Sequence, residues 1–419
     1  MSPSLGTAID WRRDLHAHPE VGFTEFRTAS RAAGHLADLG WQVVAGREAM
    51  APDERLGVPD DATLDAAYQR AEADGGDPRF LPQMRGGHTA VVATLGTDGP
   101  HLALRADTDA LPILESDAPG HVPTAAGFAS SYAGQMHACG HDAHVGMAME
   151  LAERLTADPP PCRVSIVLQP AEEGGRGGLA TAASGLLDDV DVLLALHVGL
   201  GLRTGALVAS NDGLLANSKI RATFHGRAAH AALAPEEGRN ALLGAASATL
   251  ALQGLTRVSG HQTRVSVGRI SGGTVSNIVP DRAELLLETR ADDGDVNADL
   301  EQRARAMLQG AATMHGLQVD LDLIGRVTTA VADPPAVEAV AAAARAVGLD
   351  VIAMPDDAGL ASDDATALMR RVQDAGGMAT YAALGATLAE GHHTPGFDID
   401  EAALAPGVDL LEAWVRAAG

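Results

Sequence analysis

Two cysteines in 419 residues are too few for a disulfide framework, and lysine is rarer still, with Lys219 the single one in the chain. No positively charged and then apolar leader precedes the first helical pattern, so secretion is not indicated and a cytoplasmic location is expected. No apolar run approaches the roughly 20 residues needed to cross a bilayer, and no membrane span is expected. Positive charge is also scarce: 55 Asp and Glu face 30 Lys and Arg, giving a formal net charge of −25 and a pI near 4.9. Such a surface repels nucleic acid and anionic lipid, which removes both from the expected partners. The acidic, lysine-poor, Ala- and Gly-rich composition fits either salt adaptation or a GC-rich genome that turns Lys codons to Arg. Neither bears on fold.

What is present is a globular composition, 46% hydrophobic and 20% charged, at a length that suits two domains with separate cores. Asp10 to Leu39 repeats apolar residues at helical spacing, with Asp10 as the cap, and "WQVVAG" follows as a strand. Arg47 to Gly87, polar and partly helical, reads as an insertion. "HTAVVATL" and "HLALRADTDA" read as a strand pair across the turn "GTDGP". Helix "HVGMAMELAERL" and strands "RVSIVLQP" and "DVDVLLALHV" then set a βαβ rhythm, which favours a mainly parallel sheet covered by helices. Between Asn211 and Gly325 the order becomes βαββαβ, a ferredoxin-like arrangement with one helical layer on an antiparallel sheet. The expected organisation is therefore a discontinuous α/β domain, 1–212 with 326–419, carrying an inserted domain, 213–325. Asn211, Asp212, Gly213 and Gly325 suit a hinge or an ordinary surface turn.

Four segments carry candidate chemistry. In "MHACGHDAHV", Cys139 and His141 stand one residue apart before a helix, so thiolate and imidazole can turn toward one divalent ion; a small core cysteine is the alternative. "LQPAEEGG" ends a buried strand in Glu172 and Glu173. Adjacent carboxylates there point apart, so one can bind metal while the other faces water, unless both merely cap a loop. His197 ends the apolar strand "VDVLLALHV", and His392 and His393 in "AEGHHTPGFDID" follow the last strand. Ligands gather at the carboxyl ends of strands in open α/β sheets, and together the four segments offer sulfur, nitrogen and oxygen donors at such ends. "EEGGRGGLA" lacks a phosphate-loop lysine, so nucleotide binding is not expected.

In order and over nearly the whole chain, "DLHAHPEVGFTEFRTA", "LRADTDALP", "MHACGHDAHV", "QPAEEG", "ALHVG", "SNIVPDRAELLLETR" and "HHTPGFDIDE" resemble the M20 peptidase family. The likeness is to its amidohydrolase branch of aminoacylases, hippurate hydrolases and auxin-conjugate hydrolases. The insertion, with "AGFASSYAGQMHACGHD" and "LASDDATALMRRVQDAGGMATY", narrows it to the A-subunit type of p-aminobenzoyl-glutamate hydrolase.

The resemblance implies a metal-dependent amidohydrolase with two divalent ions per protomer, held by Cys139, His141, Glu173, His197 and His393. Glu172 would be the general base. His393 is preferred over His392 because the family's ligand lies two residues before the proline, here Pro395. His137 and His144 match no ligand position. Thiolate ligation favours Zn²⁺, while carboxylate and imidazole also suit Mn²⁺. His230 of the inserted domain would stabilise the oxyanion, and Asn277 with Arg290 would clamp the substrate carboxylate. Asp107, with Asp109, would orient ligands, or else cap the turn before Pro112.

The implied substrate is a small N-acyl or N-aroyl amino acid of the p-aminobenzoyl-glutamate kind. Indole-acetyl-amino acids, N-benzoylglycine and N-acetyl amino acids are the alternatives. The inserted domain is implied to be a lid and dimerisation domain, in a homodimer or in a heterodimer with a related chain. From another class comes the reading of a non-catalytic partner in a two-chain hydrolase. One departure concerns the site: the family's Ser-Glu-Asp-Phe segment stands here as Ser362-Asp363-Asp364-Ala365, and Ile399 replaces an aromatic.

Overall fold

The computed structural model describes residues 6–255, 257–355 and 361–418; Leu360, first residue of the "LASDD" motif, lies outside them. Two compact units emerge, Met1–Gly213 with Ala330–Gly419, and Leu214–Thr329. The larger begins with α1 (Ala8–Ala17), α2 (Phe26–Asp38), β1 (Gln42–Ala45), α3 (Asp61–Ala73), β2 (Val91–Leu95) and β3 (His101–Asp107). It continues through α4 (Val122–Ala126), α5 (His141–Ala157), β4 (Arg163–Gln169), α6 (Gly178–Ala182), β5 (Val192–Val198) and β6 (Ala206–Val208). The smaller unit holds β7 (Ala216–His225), α7 (Ala241–Gln253), β8 (Thr263–Gly272), β9 (Arg282–Ala291), α8 (Gly294–Met314) and β10 (Gln318–Val327). The chain then returns to the larger unit with α9 (Pro334–Ala346), β11 (Asp350–Val351), α10 (Ala365–Asp374), β12 (Met378–Leu384) and α11 (Leu404–Ala417).

The larger unit is a mixed α/β fold around one eight-stranded sheet in the order β1-β2-β4-β3-β5-β12-β6-β11. Its centre, β4-β3-β5-β12, is parallel throughout, and nearly every residue of these strands is buried. That burial explains their composition, since a strand covered on both faces needs no polar alternation. Registers Asp107↔Gln169 and Ala383↔His197 bring the carboxyl ends of all four strands to one edge. The smaller unit is a four-stranded antiparallel sheet, β10-β7-β9-β8, with α7 and α8 packed on it around Phe224, Leu252, Leu285, Leu287 and Leu308.

Three local expectations need correction. β2 and β3 are not a hairpin: β2 pairs antiparallel with β4, and β4 lies between them, parallel to β3. The buried strand "RVSIVLQ" competes for the same edges, and a short turn alone cannot fix pairing. The helical pattern from Asp10 to Leu39 is two helices, broken where Pro19 and Gly22 lead to Phe23, whose φ of +66° lies in the left-handed region. The N-cap is Thr7, whose hydroxyl accepts from the Asp10 amide; Asp10 sits in the first turn instead.

Candidate metal centre

Five loops and termini at the strand edge contribute side chains, and the local backbone sets each direction. α5 starts at Gly140 with φ +97°, where a Cβ would lie 2.6 Å from Val198 Cγ2, so only glycine lets Cys139 and His141 approach β5 this closely. Past β4, Ala171 also adopts positive φ (+53°), held by its N–H donating to buried Glu25 at 2.8 Å. This bend turns the next two amides, of Glu172 and Glu173, onto the two carboxylate oxygens of Asp109, each at 3.0 Å. His393, with φ +63°, is tied by its N–H to the Ala138 carbonyl at 2.8 Å.

The expected ligands converge. Ligand atoms of Cys139, His141 and His197 lie within 4.8 Å of one another, as do those of Cys139, Glu173 and His393, and those of His141, Glu172 and Glu173. His141 donates Nδ1–H to the Asp109 carbonyl (2.8 Å) and His197 donates Nδ1–H to the Val198 carbonyl (2.8 Å). In both rings the bare lone pair is thereby left on Nε2, the tautomer a metal-binding histidine needs. His197 Nε2 is 3.5 Å from Cys139 Sγ, and His141 Nε2 is buried without a hydrogen bond of good geometry. Glu173 Oε1 lies 3.1 Å from His393 Nε2, an ion-pair distance. This set of soft and hard donors with an orphaned imidazole nitrogen fits divalent cations.

The electrostatics agree. Burial pushes the Cys139 thiol up, with Glu173 adding to it. Burial opposes charge on His141, yet Asp107, the bond to Asp109 and Cys139 outweigh it and hold the pKa well above that of a free imidazole. His393 is pushed up to about 10 by its contacts with Cys139 and Glu173. His197 goes the other way, driven well below the ordinary value by burial and by His144. Glu172, also buried, is held well above the carboxylate range by burial, then by Asp363, Glu173 and Asp364. Anions packed this densely draw protons onto their histidine neighbours, and cations would serve them equally.

The supporting residues were only partly foreseen. Asp107 sits 3.5 Å from His141 Nε2 and bonds His144 Nδ1, while His144 Nε2 accepts from the Val198 amide at 2.9 Å. His144 therefore has both nitrogens engaged and stands behind the ligands. His137 has neither nitrogen bonded and is driven to about 4 by burial. His392 accepts from the Leu200 amide at 3.2 Å and faces His197 edge-on at 5.5 Å. Sequence reasoning missed Arg105: fully buried, it bonds Asp107 (2.6 Å), Asp363 (2.9 Å) and Gln169 (3.0 Å). Asp363 also accepts from Tyr381 (2.8 Å), and Asp364 from Gln169 (2.6 Å) and the Gly178 amide (2.7 Å). A lone arginine inside the apolar run "LALRAD" was the available signal, since a buried charge must be paired.

The remaining expected residues lie in the smaller unit. His230 is exposed, and its Nδ1 accepts from the Ala232 and Leu233 amides (3.2 Å each), which in the neutral ring leaves the proton on Nε2. Asn277 is its neighbour, its carbonyl accepting from the Ala231 amide at 3.0 Å. Arg290, by contrast, gives its fork to Glu288, at 2.8 and 3.1 Å.

The profile of Peptidase family M20/M25/M40 matches residues 103–417. The chain belongs to this family. It is 43% identical over 416 residues to the indole-3-acetyl-aspartic acid hydrolase of Enterobacter agglomerans, covering 97% of this chain and 94% of that one. It is 41% identical over 406 residues to the A-subunit of the p-aminobenzoyl-glutamate hydrolase of Escherichia coli (strain K12), covering 96% and 93%. Its fold superposes with a TM-score of 0.83 on the crystal structure of the aminobenzoyl-glutamate utilization protein from Klebsiella pneumoniae, at 36% identity, covering 98% and 95%. This M20-family chain is accordingly an amide hydrolase. Among its described residues no helix is long and apolar enough to cross a membrane.

Proposed function

We propose that this M20-family chain hydrolyses the amide of an N-acyl or N-aroyl amino acid of the p-aminobenzoyl-glutamate kind. The carrying observation is the convergence of Cys139, His141, Glu173, His197 and His393 beside the buried carboxylate of Glu172. Both curated relatives bear names that pair an aromatic acyl group with an acidic amino acid, and that pairing is what we carry over. Indole-acetyl-amino acids, N-benzoylglycine and N-acetyl amino acids are the competing substrates.

Two divalent ions, Zn²⁺ or Mn²⁺, would be held by those five side chains, and when bound they supply positive charge that acidifies water and polarises the scissile carbonyl. Glu172, raised by burial and by its acidic neighbours, takes the proton from the attacking water and returns it to the leaving nitrogen. His230 offers Nε2–H to the developing oxyanion. Asn277 and Arg290 receive the substrate carboxylate, which has to compete with Glu288 for the arginine fork. Asp109 and Asp107 position the ligands.

The smaller unit, read as a ferredoxin-like lid, is also the proposed dimerisation surface, toward a second copy or a related chain. Its support is the edge strand β8 beside α7, on which Leu243 and Leu250 stand exposed seven residues apart. The single observation for a non-catalytic role is that one relative is named as one half of a two-part hydrolase, and the complete donor set speaks against it. The location proposed is the cytoplasm. The test is Glu172→Gln: metal content by atomic emission stays at that of the parent, while kcat on p-aminobenzoyl-glutamate falls about 10²–10⁴-fold. Retained turnover would remove Glu172 from the reaction.

A further inference from the structure

The turn between α1 and α2, "HPEVGFTE", has no part in the reaction proposed above, yet it is built into both acid-bearing loops. Val21 pairs with Ala110 in a parallel bridge, and the Ala110 amide, one residue beyond Asp109, donates to the Glu20 carbonyl at 2.8 Å. On the other side, a Cβ at Gly22 would stand 2.9 Å from Ala171 Cβ, so this close approach to the loop of Glu172 and Glu173 requires glycine. The turn thus braces one loop against the other.

Glu25, the last residue of the turn, has its backbone at the N-cap of α2, but its side chain makes no capping bond there. Capping falls to Glu20, whose two carboxylate oxygens accept from the Arg27 and Thr28 amides at 2.9 and 2.8 Å. Freed from that task, the fully buried Glu25 side chain extends Oε1 to the Ala171 amide at 2.8 Å and Oε2 to the Thr89 hydroxyl at 2.7 Å. Three successive amides are therefore fixed by two acids: Ala171 by Glu25, then Glu172 and Glu173 by Asp109. The first of the three is the bend at φ +53°, a conformation that alanine keeps only when its surroundings hold it.

The surroundings of Glu25 favour an uncharged carboxyl. Among the described residues no Lys, Arg or His side chain lies within ion-pair distance of it, and a buried charge without such a partner is costly. Burial, and then Asp109, push its pKa up to about 8. An uncharged carboxyl keeps one oxygen as acceptor for the Ala171 amide and carries a proton on the other, which the Thr89 oxygen can accept.

We propose that Glu25 is a positioning residue of the metal centre: an uncharged acceptor whose reach fixes the Ala171 amide and, through it, the directions of Glu172 and Glu173. Its effect on catalysis rests on the amidohydrolase reading; its effect on the loop does not.

The test sets reach against charge. Glu25→Gln keeps the length and the acceptor without a titratable proton, whereas Glu25→Asp keeps a carboxyl and stops one methylene short of the Ala171 amide. Three readouts are taken: amide hydrogen exchange over residues 168–178 of metal-free protein, Zn²⁺ affinity by competition with a chromophoric chelator, and kcat and KM of the metal-loaded enzyme on p-aminobenzoyl-glutamate. Glu25→Gln is expected to stay within about twofold of the parent in all three. Glu25→Asp should speed exchange of that segment about tenfold and weaken Zn²⁺ binding about 10–100-fold. It should also lower kcat about 10–100-fold while KM stays within about twofold. If Glu25→Asp does not fold, Glu25→Met, which keeps the volume and removes the acceptor, takes its place. Parental exchange and Zn²⁺ affinity in Glu25→Asp overturn the proposal, and so does a Glu25→Gln that loses as much as Glu25→Asp, since charge and not reach would then be decisive. Should the parent hydrolyse no amide, the amidohydrolase reading fails, and exchange with Zn²⁺ affinity still decides the role of Glu25.

Discussion

Asp109 holds three candidate site residues at once, which makes Asp109→Asn a sharp perturbation. Its two carboxylate oxygens accept from the Glu172 and Glu173 amides and its carbonyl accepts from His141 Nδ1. The substitution conserves shape but replaces one oxygen by an NH₂ that faces an N–H 3.0 Å away. One charge-assisted bond is lost and a buried donor is left without an acceptor, at a cost of about 2–3 kcal/mol. With an unfolding entropy of about 2 cal/mol/K per residue over a unit of about 300 residues, that lowers Tm by roughly 3–5 °C. The same change lets Glu173 drift from His141, so metal affinity should fall about 10–100-fold, as is typical when a ligand's orienting partner is removed. Thermal unfolding in chelator gives the first number and competition with a chromophoric chelator the second. A variant that unfolds within about 1 °C of the parent and binds metal within about twofold would refute this role.

Cys139→Ser should lower bound metal as well as turnover, because a hydroxyl is a poor substitute for a thiolate on Zn²⁺; parental stoichiometry by atomic emission would return Cys139 to the core. His16, enclosed between Asp142 (2.8 Å) and Glu115 (3.0 Å), is raised to about 9 because these bonds outweigh burial. Since its folded pKa exceeds the unfolded value of about 6.5, its stabilisation is complete below pH 6.5 and is lost as pH rises through about 9, a span of about 3 kcal/mol. Denaturant titrations from pH 6 to 10 should show this decline and His16→Gln should flatten it. An equally steep decline in the variant would assign it to other groups.

Local chemistry was readable where a few adjacent residues define it. The Cys139–His141 spacing and the Glu172–Glu173 pair at the end of a buried run both announced donors, and the structure brings them together. Strand pairing was not readable in the same way. β2, β3 and β4 are largely buried on both faces, so no alternation of buried and exposed residues records which neighbour each takes, and a turn of suitable length suggested a hairpin that the sheet does not contain. Arg290 shows a signal that was present but unread: Glu288 is two residues away, on the same face of β9, and captures the guanidinium. Arg105 and Asp363 are 258 residues apart, and only the folded chain reveals that the charge buried in β3 is balanced beyond the inserted unit.

The sheet order bears on how the molecule is made. β12 lies between β5 and β6, yet it leaves the ribosome after both of them and after the whole inserted unit, and His393 follows it by nine residues. Until then a nascent chain that already carries Cys139, His141, Glu173 and His197 exposes the apolar edge of β5, and the intervening unit can fold first on its own local pairings. Such late, long-range closure slows folding and leaves an edge open to wrong partners. Premature termination anywhere before residue 378 should therefore yield an aggregation-prone product, and holdase chaperones would find their binding window between the emergence of β5 and that of β12.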